Sequence, residues 1–273
     1  MMRSMVTTPS GQMHVRVAGE GPAVTLLHWT PASSRQYAPV VPHLAAHGRR
    51  AMAPDHFGYG FSDPRPGRWM VKDYAASIIA LWDALEVDCS ALVGGHFSSE
   101  IAAEIARQVP TRVTALVLDG SPVWDRPTRD KVLATARQPA PPWAEDGSHM
   151  AWVWQRALWL QRMWDKNFKL DDAGAATIRA AMIDSLLAQQ SDDSAEALRA
   201  YDLVDCLPRI TVPTLAITAT GDPLTNCHAD VLALVPGVQS HVFDGTHPLH
   251  DAARVESYAR VLLDFFGRAE QSH

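Results

Sequence analysis

Short apolar runs alternate with longer amphipathic stretches through the first 120 residues. Val24-Thr25-Leu26-Leu27 has the composition of a buried strand, and a helix is expected around Tyr37 to His47, ended by Gly48. Arg50 to Ala53 reads as the next strand. Asp73 is placed to cap a helix reaching about Leu85, Ser90 to Val93 is a strand, and a helix runs from about Phe97 to Gln108 before Pro110 stops it. Ala115 to Leu118, Thr214 to Thr218 and Val238 to Phe243 add three strands, and Val255 to Phe266 is a closing amphipathic helix. Gly11 to Val17 alternates polar and apolar positions and suits an antiparallel edge strand. Strands and helices in this alternation predict an α/β fold, its mostly parallel sheet of about eight strands covered by helices on both faces.

From about Val123 to Pro208 the alternation gives way to helical segments joined by polar turns. The expectation is a core of residues 1–122 and 209–273 carrying a helical cap over 123–208. Six of the nine tryptophans fall in this insertion: Trp124, Trp143, Trp152, Trp154, Trp159 and Trp164. The stretch from Arg137 to Pro142 is its most loop-like part.

A chain of 273 residues fits one core with such an insertion. Hydrophobic residues at 47% and charged residues at 20% are ordinary for a folded domain. The net charge is −6 and no basic run exceeds Arg49-Arg50, so nothing in the charge points to nucleic acid or an anionic membrane as partner. No apolar stretch approaches the ~20 residues of a membrane span, and Met1 to Ser10 lacks a signal-peptide pattern. Cys89, Cys206 and Cys227 lie far apart with no C-x-x-C pair, which speaks against a disulfide framework or a cysteine zinc site. A cytoplasmic protein is the expectation.

The segment richest in chemistry is Leu92-Val93-Gly94-Gly95-His96-Phe97-Ser98-Ser99, between a strand and a helix. A G-x-S-x-G elbow takes this place where a strand turns sharply into a helix and presents a nucleophile. Here Gly94 and Ser98 are the small flanks, and the residue at the tip is His96. Four further motifs stand in order around it: His28-Trp29-Thr30-Pro31, Pro54-Asp55-His56-Phe57-Gly58-Tyr59-Gly60-Phe61-Ser62-Asp63, Gly221-Asp222-Pro223 and Gly245-Thr246-His247.

On these motifs the chain resembles an α/β-hydrolase with a helical cap, over nearly its whole length and least clearly in the insertion. His28 to Pro31 is similar to the H-G-x-P oxyanion loop with Trp29 in place of its glycine, and the segment from Pro54 to Asp63 matches P-D-x-x-G-x-G-x-S-D. The resemblance implies His247 as base, Asp222 as its orienting acid, and the backbone N–H groups of Trp29 and Phe97 as oxyanion donors, with Asp119 an alternative acid and His250 an alternative histidine. His96 would then face His247, and the helix N-terminus together with the second imidazole would favour its neutral form.

Several chemistries fit a histidine at the tip. One is acid–base work on a small hydrophobic or aromatic carbonyl compound, giving hydrolysis, C–C cleavage, elimination or cyclisation without a serine acyl-enzyme. A His96 nucleophile, a nucleophile moved to Ser98 or Ser99, and a catalytically silent ligand-binding protein are the others. His28, His96, His247 and Asp222 would suit zinc only if they converged, so no metal is expected, and no cofactor either. Trp29, His28, Trp152, Trp154 and Trp159 are the expected lining of a pocket for a flat apolar substrate, with Arg35 in reach of a carboxylate.

Overall fold

The computed structural model describes residues 1–136, 141–142, 144–188 and 191–271. Trp143 and the residues from Arg137 to Ala140 in the expected loop lie outside them. Eight strands form one sheet: β1 (Met2–Thr8), β2 (Gly11–Ala18), β3 (Ala23–Leu27), β4 (Arg50–Pro54), β5 (Ser90–Gly95), β6 (Val113–Asp119), β7 (Thr214–Ala219) and β8 (Gln239–Phe243). Their order is β1-β2-β4-β3-β5-β6-β7-β8, with β1–β2 and β2–β4 antiparallel and the rest parallel.

The period of two in the strands decides which face each residue enters. Leu92 of β5 and Leu116 and Leu118 of β6 pack with Ile78 and Leu81 of α2 (Val71–Ala84) and Ile101 and Ile105 of α3 (Phe97–Gln108). Their neighbours Val93 and Val117 point the other way, onto Leu44 of α1 (Val40–Ala46) and Leu262 and Phe265 of α10 (Val255–Gln271). Both faces are therefore covered, which is why these strands read as unbroken apolar runs rather than alternating ones.

Two details differ from the pattern-based expectation. Gly11–Ala18 is not the edge, because β1 pairs with it along its whole length, from Met2 opposite Val17 to Thr8 opposite Gly11. Only Val6 and Thr8 of β1 are buried, so the strand is held by backbone pairing and leaves little apolar signature. Helix α2 begins at Val71, two residues before Asp73, whose carboxylate reaches back to accept the N–H of Met70.

Between β6 and β7 the chain runs through α4 (Arg126–Ala136), α5 (Ser148–Trp164), α6 (Asp172–Leu187), α7 (Ser191–Ala200) and the short α8 (Leu203–Cys206). Asp184 of α6 ties this segment to the loop after β3, accepting from the Ser33 hydroxyl at 2.8 Å and pairing with Arg35 at 3.2 Å. That pairing commits Arg35, the side chain expected to reach a substrate carboxylate. No described helix is long and apolar enough to cross a membrane.

Candidate active site

His96 follows β5, Asp119 ends β6, Asp222 lies just past β7 and His247 follows β8. All four stand at the carboxyl edge of the parallel strands, where open α/β sheets place their ligands. His96 sits between β5 and α3 with φ 51° and ψ −123°, a left-handed backbone that a β-carbon makes costly. The turn closes only because Gly94 is bare: a Cβ there would come within 2.2 Å of the Ser98 carbonyl oxygen and 2.6 Å of the Ala102 side chain. The His96 N–H donates to the carbonyl of Asp119 at 2.9 Å, locking the tip onto the end of β6.

The side chains form two separate histidine–carboxylate pairs. His96 Nε2–H donates to Asp222 Oδ2 at 3.2 Å, and His247 Nε2–H donates to Asp119 Oδ1 at 3.0 Å. Asp222 therefore orients His96 and not His247, and the alternative acid, Asp119, is the partner of His247. Burial alone would raise the Asp222 carboxyl, but the His96 charge and hydrogen bond and the N–H of Leu224 outweigh it and hold the group below the usual carboxylate range. Asp119 Oδ2 accepts from the Tyr258 hydroxyl at 2.7 Å, and burial beside Asp119 pushes that hydroxyl well above the usual tyrosine range, so it stays a donor.

His247 is buried to 1% exposure, and its second nitrogen, Nδ1, accepts the N–H of Leu249 at 3.2 Å. Both ring nitrogens are engaged, so it has none left to offer a neighbour at the elbow. A His96→Ser variant is accordingly expected to gain no serine nucleophile. A fluorophosphonate probe should leave position 96 unlabelled; labelling there would mean that the His247 ring turns to meet it.

The expected meeting of His96 with His247 does not occur, because the indole of Trp29 lies in contact with both. Its ring stacks on His96 at 4.4 Å between centroids and meets His247 edge-on at 5.3 Å. The neighbour that His96 does have is a carboxylate, in place of the imidazole expected to face it. Trp164, the last residue of α5, completes the stack at 4.9 Å from Trp29, 4.6 Å from His96 and 4.8 Å from His250. The backbone N–H of Trp29, expected in the oxyanion hole, instead donates to Gln36 Oε1 at 2.9 Å. The N–H of Phe97 opens α3, where a helix has no carbonyl of its own to satisfy it.

His96 opens onto a cavity of about 1420 Å³ whose wall includes Phe97, Trp124, Trp159, Met163 and Trp164. Of the expected lining tryptophans, Trp159 is there, whereas Trp29 is not on its wall. Trp152 lies beside the Arg156 guanidinium and Trp154 is 37% exposed, and neither borders the cavity among the described residues. Trp124 and Trp164 were not expected. The helical phase of α5 gives which rings share a face, but not which face meets the sheet.

His28 is not a lining residue. It is wholly buried, with Nδ1–H donating to the carbonyl of Trp29 at 2.9 Å and Nε2 accepting the N–H of His56 at 3.0 Å. Ser98 Oγ donates to the His28 carbonyl at 2.5 Å and accepts from His56 Nε2 at 2.9 Å, so this hydroxyl fastens the oxyanion loop to α3. Ser99 Oγ donates to the carbonyl of His96 at 2.6 Å. Both serines are buried in structural hydrogen bonds. Asp55 holds its own loop by accepting the N–H of Phe61, and Asp63 ties that loop to the start of β2 by accepting the N–H of Gln12. With His28 and His247 each using both nitrogens, the four groups considered for zinc do not converge, and no metal-holding cluster of His, Cys, Asp or Glu occurs among the described residues.

Burial pushes His250 down from 6.5 to about 3, reinforced by His247 and His96, and it holds His28 and His56 below the ordinary value as well. A histidine depressed in the folded state binds fewer protons than in the unfolded chain, so the unfolded state gains as pH falls. The expected result is a melting temperature that drops as pH is lowered from about 6.5 toward 3, with a loss for His250 on the order of a few kcal/mol. His250→Phe should flatten part of that decline; a melting curve equally steep with and without His250 would count against its burial as a cause.

A family model described as alpha/beta hydrolase fold matches residues 22–249. The 2-hydroxy-6-oxo-2,4-heptadienoate hydrolase of Pseudomonas putida is 36% identical over 113 residues, 41% of this chain and 38% of that enzyme. The chain thus matches little more than a third of the length of that hydrolase. The magnesium-chelatase 30 kDa subunit of Rhodobacter capsulatus is 26% identical over 258 residues, 90% of this chain and 87% of that subunit. Among solved structures, the enol-lactonase of Burkholderia xenovorans superposes with a TM-score of 0.75 at 19% identity, over 97% of this chain and all of that one.

Proposed function

The chain belongs to the alpha/beta hydrolase fold family, and on that premise we propose a cofactor-free enzyme that acts through His96, oriented by Asp222, on a small hydrophobic or aromatic carbonyl compound. The observation that carries this reading is the hydrogen bond from His96 to Asp222 at the tip of the elbow, on the wall of the cavity. A hydrolase among its relatives supports an enzyme of that class.

With Nε2–H given to Asp222, the proton-accepting nitrogen of His96 is Nδ1. A C–H bond next to the substrate carbonyl breaks, its proton goes to Nδ1, and its electron pair becomes an enolate whose charge collects on oxygen. Asp222 stabilises the imidazolium so formed, and the N–H of Phe97 at the helix N-terminus is a donor to the oxygen. Return of the proton to another carbon of the substrate completes an isomerisation; where the substrate bears a leaving group on the next carbon, the enolate electron pair expels it, the leaving group takes the proton, and an elimination results. No serine acyl-enzyme is needed.

The test needs no knowledge of the natural substrate. In deuterated buffer, the protein is expected to speed deuterium incorporation next to the carbonyl of a small aryl ketone such as acetophenone, and His96→Ala is expected not to. Exchange no faster than buffer in both would overturn the reading. A second reading, a silent ligand-binding protein, draws on Trp29, whose N–H is taken by Gln36 and whose indole lies on the elbow. Saturable binding of the ketone without exchange would favour it.

A further inference from the structure

We infer that the indole Nε1–H of Trp29 replaces the backbone N–H of the same residue as the donor to an anionic or carbonyl oxygen at the elbow. Three observations meet there. The backbone N–H of Trp29 is spent on Gln36 Oε1 at 2.9 Å. The indole Nε1, in a side chain whose residue is 6% exposed, is buried without a hydrogen-bond partner among the described residues. An orphaned buried donor is costly to a folded protein, and a site for a ligand oxygen is a reason to carry that cost. Finally, this nitrogen lies directly against the tip: a Cβ at position 95 would come within 1.7 Å of it, so Gly95 leaves the space in which it sits.

Three residues at this end of the sheet then act together. Trp29 in the oxyanion loop removes one donor and supplies another, Gly95 admits its ring, and His96 stacks on that ring at 4.4 Å. A ligand oxygen held by Nε1–H would lie beside the His96 ring, with the N–H of Phe97 as a second donor. Trp164 stacks on Trp29 and lines the cavity, whose wall Trp29 does not reach, so access of a ligand to the indole requires the Trp164 ring to turn aside. The class of ligand is a planar compound bearing an oxyanion, such as an enolate or a phenolate.

This inference rests on the cavity being the reaction site, and its test separates the two. Trp29 is replaced with benzothienylalanine, which keeps the shape of the indole and puts sulfur where the N–H was. Deuterium exchange into acetophenone is expected to fall about 10²-fold, the usual effect of losing one oxyanion donor, while binding of naphthalene, which has no oxygen, is unchanged. In 15N-labelled protein, the Trp29 Nε1–H resonance is expected to move on addition of 4-nitrophenolate. A shift of that resonance without any exchange would sustain the donor and sink the acid–base reading. Exchange at the wild-type rate in the benzothienylalanine variant, or a resonance that 4-nitrophenolate leaves in place, would overturn the donor.

Discussion

His96→Ala is expected to lower the rate of exchange or turnover by about 10²–10⁴-fold, the range for loss of a positioned general base. The protein should fold as before, because the His96 ring is held by stacking and one hydrogen bond at the cavity wall and bears no part of either core. Asp222→Asn should cost less, on the order of 10²-fold, because Nδ1 survives while the group that stabilises the imidazolium is neutral. Equal rates in wild type and His96→Ala would remove His96 from the chemistry. The comparison with His247→Ala is informative for the opposite reason: this ring lies behind Trp29 and offers no free nitrogen, so its loss should act through folding.

Asp119→Ala is the substitution expected to do most harm to stability. Its carboxylate accepts from both His247 and Tyr258, with the side chains of Asp119 and His247 completely buried. Removing it strands two donors in a fully buried space. Breaking one partner out of a buried pair costs about 3–5 kcal/mol, a fall in melting temperature on the order of 10 °C for a domain of this size. Asp119→Asn should not rescue it, since an amide must turn either its oxygen or its N–H₂ toward each donor and can satisfy only one. A melting temperature within a degree or two of wild type would show that the network is dispensable.

The parallel sheet was legible because its central strands are buried on both faces and bounded by turn residues at the expected places. β1 was not, since its partner holds it through the backbone and it buries little. At the site, the elbow was legible from the spacing of Gly94, His96 and Ser98, which only a tight strand-to-helix turn requires. The pairing of acids with histidines was not. Asp119 and Asp222 follow adjacent strands at the same edge, and which one meets His247 depends on how the imidazole is turned, a side-chain torsion that leaves no trace in spacing. The role of Trp29 was half legible: its place in the oxyanion loop could be read, but not the capture of its N–H by Gln36, seven residues on in the turn that follows β3. Trp164 was hidden for another reason, being one of several tryptophans on α5, whose faces are sorted by packing against α6 and the loop after β3.

The most direct measurement is a double-mutant cycle on the rate of deuterium exchange into acetophenone, using His96→Ala, Asp222→Asn and the two combined. If the pair works as a unit, removing Asp222 from a protein that already lacks His96 should change nothing, and the double variant should match His96→Ala. Independent losses that multiply in the double variant would contradict the account, because Asp222 would then act on something other than His96.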